Sequence, residues 1–178
     1  MMVSPARPER MHSDPEIAAL VEQLQLQAHP EGGWYRELHR SSLAVRRPDG
    51  ARRCAFTQIL FLLAAGGVSR WHRVRQAEES WQHLGGDPLD LWQMRPTGGQ
   101  ASVSSLTALA RPGATSPQAS PPNPVTVVPA DWWQAACSCG GWSLVVCTVS
   151  PGFEFDDFEL LAESPERIDL PAECARFL

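Results

Sequence analysis

Along most of the chain, apolar and polar side chains trade places in short runs closed by glycine, proline or aspartate. Such runs predict β-strands with turns between them. FTQILFLL (56–63) is apolar on both faces and reads as a buried strand, closed by Gly66 and Gly67. SRWHRV (69–74), EESWQHL (78–84), LDLWQM (89–94), ASVSSLTAL (101–109), VTVVP (125–129), WWQAACS (132–138) and WSLVVCTVS (142–150) follow. WYRELHR (34–40) is a strand with two mixed faces: Trp34, Arg36, Leu38 and Arg40 on one, Tyr35, Glu37 and His39 on the other. That mixture suits an edge or a cavity wall. The period changes only near the start. Ile17, Leu20, Val21 and Leu24 recur at helical spacing, behind Ser13 or Asp14 as a cap and Pro15 in the first turn, and predict an amphipathic helix over 14–25.

A series of short strands at regular spacing predicts an all-β sandwich or small barrel. No second region carries its own apolar periodicity, so residues 13–172 are read as one domain that includes the helix. Residues 1–12 read as a disordered tail and 173–178 as a C-terminal tail. RPGATSPQASPPNP (111–124) reads as an exposed, mobile loop. In PGFEFDDFEL, Phe153, Phe155 and Phe158 are expected to cover one end of the barrel while the acids face water.

Composition narrows the chemistry. All 15 basic residues are arginine, and the absence of lysine excludes a Schiff base, hence pyridoxal phosphate, and a P-loop. A net charge of −5 with no basic patch argues against nucleic acid as a partner. The longest apolar run, Ile59 to Ala65, is far too short for a bilayer, and the N-terminus lacks a secretory h-region, so a cytoplasmic protein is expected. Five cysteines without a CxxC pair read as reduced, buried thiols.

Candidate chemistry gathers in GGVSRWHRVRQAEESWQHLGGD (66–87). Alternation puts Glu79, Trp81 and His83 on one strand face, and His72 on a face with Arg70 and Val74. If the two strands pair through the intervening turn, His72 approaches Glu79 and His83. Two imidazoles and a carboxylate make a transition-metal constellation, and equally an acid/base pair.

The spacing of these residues resembles the cupins. Gly66, five residues, then His72 match the start of the first cupin motif; Glu79, six residues, then Gly86 match its end, with Val74 in place of the second histidine. Pro129-Ala130-Asp131-Trp132-Trp133-Gln134 matches the second motif, with Asp131 for its glycine and Gln134 for its histidine. HPEGGWYRELHRS, SRWHRV, VPADWWQAA and CTVSPGFEFDDFEL resemble, in order, the signature blocks of the cupin_5 (DUF985) family. That resemblance implies a double-stranded β-helix, the cupin jelly-roll barrel, usually paired as a homodimer. It also implies a pocket with a shape like that of sugar-nucleotide epimerases. The family usually carries histidine where this chain has Gln82 and an aromatic residue where it has His83, so His83 is a feature of this chain and not one the resemblance implies.

The resemblance makes His72, Glu79 and Gln134 the candidate ligands of one divalent transition metal, bound weakly or not at all because Val74 supplies nothing. Arg36, Arg70 and Arg73 are expected to attract an anionic ligand, with Trp81, His83 and Gln134 contacting it. His12, His29 and His39 are assigned to tail, loop and either solvent or cavity. Two functions follow. One is an isomerase- or epimerase-like enzyme acting on a small polar or anionic metabolite, such as a sugar or sugar acid, with His72, Glu79 and the sole tyrosine, Tyr35, moving protons. The alternative is a metal-free, non-catalytic binder or sensor using the same pocket.

Overall fold

The fold is taken from a computed structural model, described for residues 14–108 and 122–178. The readings made for residues 1–12, Ser13, His12 and most of the proline-rich loop fall outside these residues. Helix α1 (Pro15–Gln23) begins at Asp14, whose carboxylate accepts the Glu16 amide at 2.9 Å. It ends sooner than the periodicity extends, because Gln25 adopts φ +54° and turns Leu26 inward.

Thirteen strands follow among the described residues: β1 (Gln27–Ala28), β2 (Trp34–Arg40), β3 (Ala44–Arg46), β4 (Arg52–Cys54), β5 (Thr57–Ala64), β6 (Val68–Val74), β7 (Glu78–Gly86), β8 (Leu89–Met94), β9 (Ser102–Leu106), β10 (Val125–Val128), β11 (Trp133–Ser138), β12 (Trp142–Ser150) and β13 (Phe158–Leu160). They form antiparallel sheets ordered β1-β2-β5-β12-β7-β10 and β13-β6-β11-β8-β9, plus the hairpin β3-β4. The two large sheets face each other across Phe61, Leu63, Trp81, Leu89, Leu91, Leu106, Val128 and Val145, all buried. Alternation supplies this core: one side of each strand is apolar and leaves water, which drives the sheets together. Helix α1 covers the outer face of the larger sheet over Trp34, Leu60, Leu62 and Val146. No described helix is long and apolar enough to cross a membrane.

Three expectations change here. First, β6 and β7 do not pair with each other; they belong to opposite sheets. The segment between them is a corner, with Gln76 at φ +54° and its amide bonded to the Asp131 carboxylate at 2.9 Å. Asp131 itself has φ +67°, which explains why the related motif uses glycine there. Second, the C-terminal residues are packed rather than trailing. Ala172–Phe177 form a 3₁₀ turn that buries Cys174 and Phe177 against Trp71. The Trp71 indole donates to the Cys174 carbonyl at 3.0 Å. Third, Asp157 does not face water. It is buried between Arg53, at 2.6 Å, and Arg47, at 2.9 Å, and so ties the β3-β4 hairpin to the segment before β13.

Candidate functional site

Between the sheets, at one end of the sandwich, lies a cavity of about 90 Å³. Its floor is polar: His29, Glu31, His72 and Glu79. Its walls are Tyr35, Thr57, Ile59, Phe61, Val74, Cys147, Val149, Phe153 and Phe158, and Glu37, Arg40, Glu154 and Phe155 complete the lining. The corner after β6 is what brings His72 and Glu79 together. They meet across the interior from opposite sheets, not along a hairpin.

His72 is fixed by its backbone. Its Nδ1 lies 2.8 Å from the Arg70 carbonyl, which can only accept, so Nδ1 carries a proton and the neutral ring has its lone pair on Nε2. That Nε2 is 3.3 Å from Glu31 Oε2. The same Glu31 oxygen is 3.3 Å from His29 Nδ1, while Oε1 accepts the Ser69 hydroxyl at 2.8 Å. Burial alone would raise the Glu31 pKa, but His72, His29 and the Ser69 bond outweigh it and hold the carboxyl at about 2.

Glu79 goes the other way. Burial, with Glu31 nearby, raises its pKa despite His72 and a hydrogen bond from Gln134. The Gln134 amide is oriented without ambiguity. The Trp81 indole N–H can only donate, and it donates to Gln134 Oε1 at 2.8 Å. The Gln134 NH₂ therefore points at Glu79 Oε2, 2.6 Å away. The Cys147 thiol also hydrogen-bonds Glu79, and burial pushes that thiol far above its usual range.

Glu31 and His29 reach this floor because of the turn that carries them. Gly32 has φ +110° and Gly33 φ +66°. A Cβ at Gly32 would collide with the Val68 carbonyl of β6, and one at Gly33 would lie 2.7 Å from the Leu62 carbonyl. Two glycines let the loop lie close against β5 and β6 and lower Glu31 between the sheets. Gly32→Ala is therefore expected to destabilise the fold by more than about 1 kcal/mol and to lift Glu31 off the floor. Thermal unfolding and the acid-side stability profile of that variant check this.

The expected site residues divide sharply. Tyr35 lines the cavity, with its ring edge-on to His29 at 4.6 Å between centroids. His72 and Glu79 line it too, and Gln134 supports Glu79 from behind. The remaining expected contacts lie elsewhere. Arg36 shares the face of Trp34, away from the cavity, and reaches Gln25 at 3.4 Å. Arg70 is spent on the Pro30 carbonyl, and Arg73 on Glu159 and Glu166. Trp81 is core, edge-on to Phe61 at 5.6 Å. His83 is buried beyond Trp81, and its Nε2 donates to the Asp87 carbonyl at 2.9 Å. Because β6 and β7 never pair, nothing draws His83 toward His72. His39 is exposed and its ring lies tilted against Phe56, 5.1 Å between centroids. The aromatic wall is phenylalanine, not tryptophan.

A metal held by His72, Glu79 and Gln134 does not fit this arrangement. The only oxygen of the Gln134 side chain accepts from the Trp81 indole, so the amide turns its NH₂, which cannot ligate a metal, toward Glu79. Val74 contributes no ligand, and no three His, Cys, Asp or Glu side chains among the described residues are set as a metal cage. Protein purified without a tag and incubated with zinc, iron, manganese or nickel is expected to retain well below one equivalent by elemental analysis.

Comparison with known proteins follows the same lines. The profile of the Cupin_5 family, described as cupin superfamily (DUF985), matches residues 18–161. A hypothetical protein from Leishmania major is 30% identical, with 80% of this chain and 85% of that one aligned at a TM-score of 0.68. A protein from Shewanella oneidensis is 34% identical over 80% of this chain and 82% of its own, also at 0.68. The capsular polysaccharide assembling protein CapF from Staphylococcus aureus shares only the fold, at 9% identity and a TM-score of 0.55 over 76% of this chain and 33% of its own. No curated protein matches in sequence. Two antiparallel sheets closed over an interior pocket, and a family match across most of the chain, place this protein in the Cupin_5 (DUF985) family of the cupin superfamily.

Proposed function

We propose that the cavity moves protons on a small polar metabolite, in the manner of a sugar isomerase or epimerase and without a metal. One observation carries this reading: two buried carboxyls share one small floor and are pushed in opposite directions, Glu31 to about 2 and Glu79 upward. Such a split assigns roles. Glu79, whose carboxyl burial pushes toward the protonated form, is the acid. His72, with its Nε2 lone pair beside the Glu31 carboxylate, is the base, and Glu31 stabilises the imidazolium once the proton arrives. A carbon next to a carbonyl, held between them, loses its proton to His72 while Glu79 donates to the carbonyl oxygen. Tyr35 stands on the wall as a second donor. Phenylalanine faces beside the floor suit the apolar face of a sugar ring or polyol. A volume of about 90 Å³ favours a small molecule over a nucleotide sugar.

The test is exchange of carbon-bound hydrogen for deuterium in heavy water, followed by NMR over a set of small aldoses and ketoses. Exchange by the wild type and its loss in His72→Ala supports the reading. A ligand that binds in the cavity and never exchanges would favour the binder alternative. Five free cysteines fit a reducing, cytoplasmic setting. For a homodimer, the outer face of β7 and β10 offers exposed Leu84, Val125 and Val127. Val127→Glu is expected to shift the light-scattering mass from dimer to monomer.

A further inference from the structure

The cavity lining contains four glutamates, Glu31 and Glu79 on the floor with Glu37 and Glu154 farther out, and one arginine, Arg40. Arg40 is not available to a ligand. Its Nε and Nη2 hold the two oxygens of Glu37 at 3.2 and 2.9 Å. Its Nη1 holds Glu154 at 2.8 Å and the Phe153 carbonyl at 3.1 Å. Planar guanidinium donors that meet one carboxylate edge-on and a second from the side have little left for a third. The rest of the wall carries no charge, being aliphatic or aromatic apart from Thr57 and Cys147, and the three arginines that an anion might have used point away from the cavity or are paired elsewhere.

We infer that the pocket selects against negatively charged ligands, taking an uncharged hydroxylated molecule or an amine, and that Glu37 and Glu154 set this preference by keeping Arg40 occupied. The location rests on the function proposed above, but the preference does not depend on turnover. A carboxylate or phosphate entering the cavity would pass two acids at its outer part and face Glu31 on the floor, with no unpaired cation to meet it. Repulsion of this kind gives selectivity without any special contact to the favoured ligand. The outer pair sets it by occupying the Arg40 guanidinium on both sides. Glu37 and Glu154 are about half exposed, at 43% and 49%, so replacing them leaves the core intact.

Affinities of the full chain for glucose, glucosamine, glucuronate and glucose 6-phosphate, measured by ligand-observed NMR at low ionic strength, test this. The expected ranking puts glucose and glucosamine about tenfold or more ahead of both anions. Glu37→Gln with Glu154→Gln frees Arg40 and is expected to raise glucuronate binding about tenfold relative to glucose. Glucuronate or the phosphate binding the wild type as well as glucose would overturn the inference. So would an unchanged ranking in the double variant, or no binding of glucose and glucosamine at all. If the ranking holds but no sugar exchanges deuterium, the catalytic reading fails and the selectivity stands.

Discussion

Glu31→Gln is expected to cost about 3 kcal/mol of stability at pH 7 and to flatten the acid side of the stability curve. A carboxyl that titrates at 4.5 when unfolded and at about 2 when folded binds fewer protons in the native state between those values. Its contribution is whole above about pH 5 and is lost as pH falls toward 2, and a shift of this size corresponds to about 3 kcal/mol. Glutamine keeps the volume and can still accept the Ser69 hydroxyl. It cannot counter a charge on His29 or His72, each 3.3 Å from the lost oxygen. Chemical unfolding of both proteins at pH 7, 4 and 3 checks the claim. The gap is expected to be widest at pH 7, narrower at pH 4 and about halved at pH 3, closing only as pH falls to about 2.

The second large effect pairs a loss with a gain. Glu79→Gln is expected to lower deuterium exchange at least about 100-fold, as removal of a general acid does, while making the protein more stable at neutral pH. The sign of the stability change is opposite to that for Glu31. The folded pKa of Glu79 is raised by burial, so the native state holds an extra proton above 4.5, and stability falls as pH rises through that window. Glutamine is already neutral, and its oxygen accepts the Gln134 NH₂ just as Glu79 Oε2 does. His72→Ala is expected to lose exchange to a similar degree, without the gain in stability. A purely structural Glu79 would show the reverse: lower stability together with unaltered exchange.

Much of this architecture is legible in the chain. Alternation locates the strands because side-chain direction repeats every second residue, so β8 and β12 match LDLWQM and WSLVVCTVS end to end. His72 and Glu79 stand out by their spacing from Gly66 and Gly86. The partner that defines their chemistry does not. Glu31 lies in a turn without periodicity, and its contacts with Ser69 and His72 are 38 and 41 positions away in the chain. The available signal was an acid set between a proline and two glycines, which marks a loop forced close to another backbone. The arginines misled for a related reason. Their number is visible in composition, but whether a guanidinium faces a cavity or a neighbouring glutamate depends on which sheet each strand joins. The supposed β6-β7 hairpin shows the same limit: a three-residue connection reads as a tight turn, whereas the chain uses it to cross from one sheet to the other.

The central claim is that two carboxyls in one cavity are driven apart. Carbon-13 NMR of glutamate side-chain carboxyls, titrated from pH 2 to pH 9 and assigned with Glu31→Gln and Glu79→Gln, measures this directly. The account predicts one carboxyl titrating near 2 that vanishes in Glu31→Gln, and one titrating clearly above 4.5 that vanishes in Glu79→Gln. Two carboxyls that both titrate at an ordinary glutamate value would contradict it.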